Sequence, residues 1–167
     1  AVFVESPGGQ EACLDPKVMR AIEAFDFEIR NVAGVQSVQS VAGMAKAVIA
    51  GNNEGNPRWA AIPGAPRGLQ QGSLAYSPDH GLVTEGCAHQ QILVFLTDHE
   101  GATIFHVVNE AKRVIAEVSV PEARFKLAGG NVGVMAAANE AVKRAEVIML
   151  NKGPFVVEGV RELAGII

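Results

Sequence analysis

Two strand–helix–strand patterns, separated by a long segment of different character, constrain the fold of this chain most strongly. The first pattern covers residues 2–40 and the second covers residues 91–128. Each contains two short runs typical of strands and one apolar stripe at helical spacing. Two such units predict an α+β domain with a ferredoxin-like, split βαβ sheet and its helices on one face. The segment between them is then a long insertion between the second and third strands.

The boundaries of the first unit follow from local signals. Residues 2–5 form an apolar strand pattern, and Asp15 followed by Pro16 is the typical start of a helix, with aspartate at the N-cap. We expect this helix to end at Gly34, because glycine is the usual residue just past a helix C-terminus. Residues 35–40 predict the second strand.

The second unit begins with residues 91–97, which are almost continuously apolar and predict a central strand. Pro121 interrupts the chain further on, and residues 124–128 predict the last strand. Between them, a helix is predicted by apolar residues at helical spacing: Ile104, Val107, Val108, Ala111, Val114 and Ile115.

The insertion covers about residues 41–90 and opens with a helical pattern that ends near Gly51. The rest is rich in Gly, Pro and Asn, and it carries the only tryptophan, Trp59, and the only tyrosine, Tyr76. A connection of this length in a compact domain is usually functional or folded. We therefore expect it to contain structure of its own.

Length and charge restrict the class of protein. The chain has 167 residues, which fits one domain, and a net charge of −4. This charge argues against a nucleic-acid partner, which usually requires a basic patch. No uninterrupted apolar run reaches the roughly 20 residues of a transmembrane helix. Because the chain starts without Met and enters a strand pattern at once, we expect it to be a fragment of a longer protein.

The C-terminal part combines a strand, a glycine turn and a helical pattern over residues 125–150. Gly129, Gly130 and Gly133 could cradle a phosphate, but their spacing matches neither a P-loop nor a dinucleotide fingerprint. We interpret them as a tight turn and a packing contact, with Asn131 capping the helix. That helix becomes apolar at its end, so it is either an ordinary domain helix or one that continues towards a bilayer.

The four histidines do not form a recognisable metal site. The spacing of His80, His89, His99 and His106 matches no standard zinc pattern. The triplet at residues 98–100, Asp-His-Glu, could form an acid–base pair, but we interpret it as a polar turn before a helix, with Asp98 or Thr103 near the cap. We predict no catalytic residues, no metal and no cofactor.

Cys13 and Cys87 are the only cysteines. Cys13 follows the first predicted strand, and Cys87 precedes the central one, so both sulfurs reach one end of the sheet if these strands are neighbours. The alternative is two free thiols in a cytosolic protein. We favour a disulfide, and hence an oxidising compartment, because the pair matches no metal-binding or redox motif.

Several stretches resemble the RND (resistance–nodulation–cell division) superfamily of exporters, in its MMPL/Patched-like branch. The resemblance covers about residues 2–150 and is carried by residues 5–14, 30–46, 50–59, 86–96 and 125–150. It implies a periplasmic porter-type domain, about residues 1–150, at the periplasmic face of the bacterial inner membrane. Residues 151–167 depart from the family pattern and form a tail of uncertain role.

The resemblance also implies a function and partners. The domain would be a non-enzymatic part of a proton-driven exporter of hydrophobic or lipid-like substrates, with the transmembrane part of the parent chain and a second periplasmic domain as partners. As substrate-contacting candidates we select Asn53, Glu54, Trp59 and Ile62 in the insertion. For Trp59, packing of the insertion onto the sheet is the competing interpretation. A small-molecule-binding regulatory domain of the same fold is the alternative function.

Overall fold

The computed structural model describes residues 1–7, 11–127 and 141–142. It contains one four-stranded sheet in the order β2-β3-β1-β4, in which every neighbouring pair is antiparallel. The prediction of an α+β domain is therefore confirmed. The strands are β1 (Val2–Glu5), β2 (Val35–Gln39), β3 (His89–Leu96) and β4 (Arg124–Leu127). The helices are α1 (Pro16–Arg30), α2 (Val41–Asn52), α3 (Pro66–Leu69) and α4 (Gly101–Val118).

Strand β1 lies inside the sheet and is paired along both of its edges. Val4 lies opposite Gln90 of β3 on one side and opposite Phe125 of β4 on the other. Val2 and Val4 are buried on the face covered by the helices, whereas Phe3, between them, is partly exposed on the other face. This alternation is the one that a sheet with a single buried face requires.

Helix α1 supplies the largest part of the core. Its predicted apolar stripe is buried, and the ring of Phe25 stacks on the ring of Phe125 in β4 with 5.6 Å between centroids. The helix starts as predicted, since the carboxylate of Asp15 accepts a hydrogen bond of 2.8 Å from the backbone N–H of Lys17. Helix α4 packs beside α1 through a second buried stripe.

A buried carboxylate joins three elements. Asp26 of α1 accepts a hydrogen bond of 2.6 Å from the hydroxyl of Ser40, the N-cap of α2. Its other oxygen accepts one of 2.6 Å from Arg30, which also donates to the carbonyl of Val38 in β2 at 3.1 Å. A buried charge of this kind is stable only when it is paired and hydrogen-bonded, so the network fixes α1, β2 and α2 relative to one another.

The predicted end of the first helix is wrong. Helix α1 ends at Arg30 rather than at Gly34, and Gly34 lies in the turn that leads into β2. Gly34 has φ +91°, and a Cβ atom at this position would lie 2.7 Å from the Cγ2 of Thr103 in α4. Glycine is therefore required here for a close approach between the turn and α4, and not as a helix cap.

The insertion is folded, as expected. Helix α2 is followed by α3 and by 3-10 helices at Pro57–Trp59, Gln70–Tyr76, Pro78–His80 and Glu85–Cys87. The insertion ends against the sheet, where the backbone N–H of Gln91 donates to the carbonyl of Leu82 at 2.7 Å. It contributes several side chains to the buried core: Val41, Ala42, Ala45, Ile62, Leu69, Ala75, Leu82 and Val83.

Three sequence predictions fall outside the described residues. They are the glycine turn at residues 129–133, most of the helical pattern at residues 131–150, and the tail at residues 151–167. Within the part of the chain that the structure describes, every helix is too short or too polar to cross a membrane.

We expect Gly34→Ala to lower the free energy of unfolding by roughly 2–4 kcal/mol, since it adds a left-handed backbone penalty and a collision with Thr103. Gly81→Ala is the matched control, because Gly81 has φ +70° but open space around its Cβ direction. It should cost only the backbone part, roughly 1–2 kcal/mol. Urea unfolding measures both variants, and equal losses would contradict the role of the α4 contact.

Candidate functional site

Cys13 and Cys87 are joined in a disulfide at one end of the β1–β3 pair, as the sequence suggested. Cys13 lies in a 3-10 helix after β1, and Cys87 ends the 3-10 helix before β3. Their Cα atoms are 5.7 Å apart, both residues are buried, and no cysteine of the described chain is free. The bond links the base of the insertion to the start of the sheet.

The backbone around this disulfide is also tightly connected. Beyond the last pair of the ladder, the N–H of Ser6 donates to the carbonyl of Ala88 at 3.1 Å, and the N–H of Glu11 donates to the carbonyl of Gly86 at 2.7 Å. Glu11 and Cys87 adopt left-handed conformations, with φ of 73° and 59°. Non-glycine residues hold such conformations only where their surroundings enforce them.

The four substrate-contacting candidates do not share one environment. Asn53 is half-buried, and its side-chain amide donates to the carbonyl of Ile49 at 2.7 Å and to Gln71 at 3.3 Å. Glu54 and Trp59 are exposed, and Trp59 keeps 52% of its surface accessible. Ile62 is only 7% exposed and belongs to the core. Ile62 therefore helps to hold the insertion on the core, whereas Trp59 keeps about half of its surface accessible.

All eight residues from 54 to 61 are exposed, and we call this segment the Trp59 ridge. Its backbone is nevertheless ordered by hydrogen bonds, from Asn56 to the carbonyl of Asn53 at 3.1 Å and from Trp59 to the carbonyl of Asn56 at 3.0 Å. The side chain of Asn56 caps the short helix by accepting from Arg58 at 3.0 Å. The ridge thus presents a large aromatic ring on a fixed backbone.

A second exposed apolar surface was missed by the sequence analysis. Phe3 of β1 and Phe95 of β3 lie on the sheet face that points away from the helices, with 40% and 42% of their surfaces exposed. The signal was present, because Phe3 stands between two buried valines and must point the opposite way.

The Asp-His-Glu triplet forms a turn before α4. The carboxylate of Asp98 accepts a hydrogen bond of 2.9 Å from the backbone N–H of Glu100, which is the N-cap residue. This bond, and then the hydroxyl of Thr103, hold the pKa of Asp98 below its ordinary value. In the described part of the chain, no three His, Cys, Asp or Glu side chains are grouped so that they could hold a metal ion.

Tyr76 fastens the middle of the insertion. Its hydroxyl donates a hydrogen bond of 2.8 Å to the carbonyl of Leu69, and its ring packs against the core. Burial raises the pKa of Tyr76 to about 12. The neutral phenol is therefore favoured in the folded state.

The chain shows no significant match to any protein-family model, curated protein or solved structure. Three features of the molecule bear on its function. These are the buried disulfide, the Trp59 ridge and the exposed apolar side chains of the sheet.

We expect replacement of both cysteines by alanine to lower the free energy of unfolding by about 4 kcal/mol in the chain-entropy account, because the bond closes a long loop with a sequence separation of 74. The matched control is the wild-type protein unfolded with and without a phosphine reductant, which should show the same difference. Two free thiols in unfolded, unreduced protein would contradict the disulfide.

We expect the ionisation of Tyr76 in the native protein to have its midpoint at about 12, and near 10 in denaturant. The pKa of Tyr76 is higher in the folded state than in the unfolded state, so the buried neutral phenol contributes to stability. This contribution is complete below a pH of about 10 and is lost as the pH rises through about 12. Tyr76 is the only tyrosine, so phenolate absorbance reports it alone. A native midpoint near 10 would contradict its burial.

Proposed function

We propose that this chain is an extracytoplasmic porter-type domain of a proton-driven RND-type exporter, in the MMPL/Patched-like branch. In this proposal the domain forms part of the path for hydrophobic or lipid-like substrates and performs no catalysis. The observation that carries the proposal is the Trp59 ridge, because a half-exposed tryptophan on an ordered backbone is suited to contacting an apolar molecule.

The order of the strands supports the finer description of the fold as ferredoxin-like. Strands β1 and β2, joined through α1, lie on either side of β3, and strands β3 and β4, joined through α4, lie on either side of β1. Two interleaved βαβ units of this kind define the split pattern. In the proposal, residues 1–150 form this porter domain, with the insertion between its second and third strands.

The disulfide supports a location outside the cytoplasm. Buried structural disulfides form and persist in oxidising compartments, of which the bacterial periplasm is one. We place the domain at the periplasmic face of the inner membrane, where its partners would be the transmembrane part of the parent chain and a second periplasmic domain. Proton transfer would be carried by the helices of that transmembrane part.

The contribution of the domain would be mechanical. Asp26 connects α1, β2 and the N-terminus of α2, so the start of the insertion is coupled to the sheet. The disulfide and the hydrogen bond between Gln91 and Leu82 couple the other end of the insertion to the sheet. A movement imposed on the sheet by hinge or shear would therefore carry the Trp59 ridge with it.

The test uses the full-length gene, expressed in bacterial cells loaded with a hydrophobic dye. We expect Trp59→Ala to slow proton-driven dye efflux several-fold while the domain stays folded at a cost of roughly 2–3 kcal/mol, because about half of the side chain is covered and the ring does not belong to the buried core. Phe27→Ala is the matched control, since Phe27 is also a large exposed aromatic residue, 65% exposed, and lies on α1 rather than in the insertion. It should leave efflux unchanged.

Two results would refute the proposal. One is efflux by the wild type that persists after the proton gradient is collapsed. The other is a parent gene without hydrophobic spans next to this domain. A metabolite that raises the melting temperature of such a spanless protein would instead favour the regulatory domain.

A further inference from the structure

The sheet has an outer face, which points away from α1. Strand alternation and register place the side chains of Phe3, Leu93 and Phe95 on it, opposite the buried positions Val4 and Ile92. Leu93 is partly buried, whereas Phe3 and Phe95 remain exposed to a similar extent. This face is therefore neither fully apolar nor covered by the helices of the core.

The three apolar side chains form a continuous diagonal row, which we call the apolar stripe. Phe95 and Leu93 are two residues apart on β3, and the next outward position, Gln91, lies directly opposite Phe3 of β1. From the rise of a strand and the spacing between strands, the stripe is about 14 Å long. Its β2 side carries only the small or uncharged polar residues Ser37 and Gln39.

The stripe ends at a cluster of charges, which we call the cationic corner. Phe3 lies opposite Lys126 of β4, and Glu5 lies between His89 and Arg124. Lys126 and Glu5 are 2.7 Å apart, and the pKa of Glu5 is lowered, first by its bond with Lys126 and also by His89 and Arg124. Two permanent cations face one carboxylate, so positive charge is in excess here.

We propose that the outer face binds a single-chain anionic amphiphile, a long-chain carboxylate, with its hydrocarbon chain along the apolar stripe and its carboxylate at the cationic corner. The chain would bury the exposed parts of Phe3 and Phe95. The carboxylate would supply the second negative charge that Lys126 and Arg124 lack, through charge-assisted hydrogen bonds. This inference concerns a surface separate from the Trp59 ridge, and it does not depend on the exporter assignment.

Charge also bears on a second copy of the same face as the occupant. With the two cationic corners together, each excess of positive charge would face the other, which is unfavourable. With each corner against the far end of the other stripe, the cations would approach the turn after β3 that carries Asp98 and Glu100, and the oligomeric state tests this arrangement. A long-chain anion satisfies the apolar and the cationic parts together.

Binding is tested by calorimetry on the whole chain, with dodecanoate and the uncharged dodecyl maltoside, both below the concentration at which they form micelles. We expect saturable binding of dodecanoate, and binding of the maltoside weaker by about tenfold or more. Lys126→Gln, a surface change that keeps the fold, should weaken dodecanoate binding by about tenfold, and Phe95→Ser should also weaken it. Phe27→Ser is the matched control and should bind as the wild type does.

Three outcomes would overturn the inference. Equal binding of the two probes would show that the cationic corner selects no anion. Absence of saturable dodecanoate binding would show that the face is not a site for this ligand class. A concentration-dependent dimer that Phe95→Ser abolishes would show that a second copy covers the face. None of these outcomes bears on the efflux experiment, so failure here is distinguishable from failure of the exporter proposal.

Discussion

The antiparallel pairing of β1 with β3 is the contact on which the rest of the structure depends. It brings together two strands that are far apart in the chain, and it joins the two βαβ units into one sheet. With β1 in the interior, β4 has an edge to pair with, and Phe125 comes within reach of Phe25. The disulfide and the backbone bonds of Ser6 and Glu11 extend the same pairing past the end of β1.

Features that depend on neighbouring residues could be predicted from the sequence, and features that depend on distant partners could not. The start of α1 follows from Asp15 and Pro16 alone, and the cysteine pairing follows once two strands are assumed to be neighbours. The end of α1 was misplaced because the reason for Gly34 is the approach of α4, almost seventy residues later. The carboxylate network of Asp26 is equally invisible, since aspartate on a helix normally faces water.

The insertion illustrates how burial divides roles within one segment. Both Trp59 and Ile62 are large apolar residues in a polar stretch, and composition alone treats them alike. The structure separates them: Ile62 enters the core and fixes the chain, which leaves Trp59 outside on an ordered backbone. A backbone held in this way loses little conformational freedom when the segment contacts another molecule. In the proposed function the insertion would use both residues, Ile62 to hold the backbone and Trp59 to make the contact.

The interior position of β1 also has a consequence for the order in which the protein can fold. At synthesis rates of about 5–20 residues/s, the separation of 74 residues between the cysteines corresponds to about 4–15 s in which β1 exists and β3 does not. Both edges of an apolar strand are open during that interval, and open edges invite pairing with other chains. The bond between Cys13 and Cys87 likewise cannot form until Cys87 has been made. Of the four strands of this sheet, the first to be synthesised is therefore among the last to be secured, so the partly synthesised domain exposes more open strand edge to aggregation than the finished domain does.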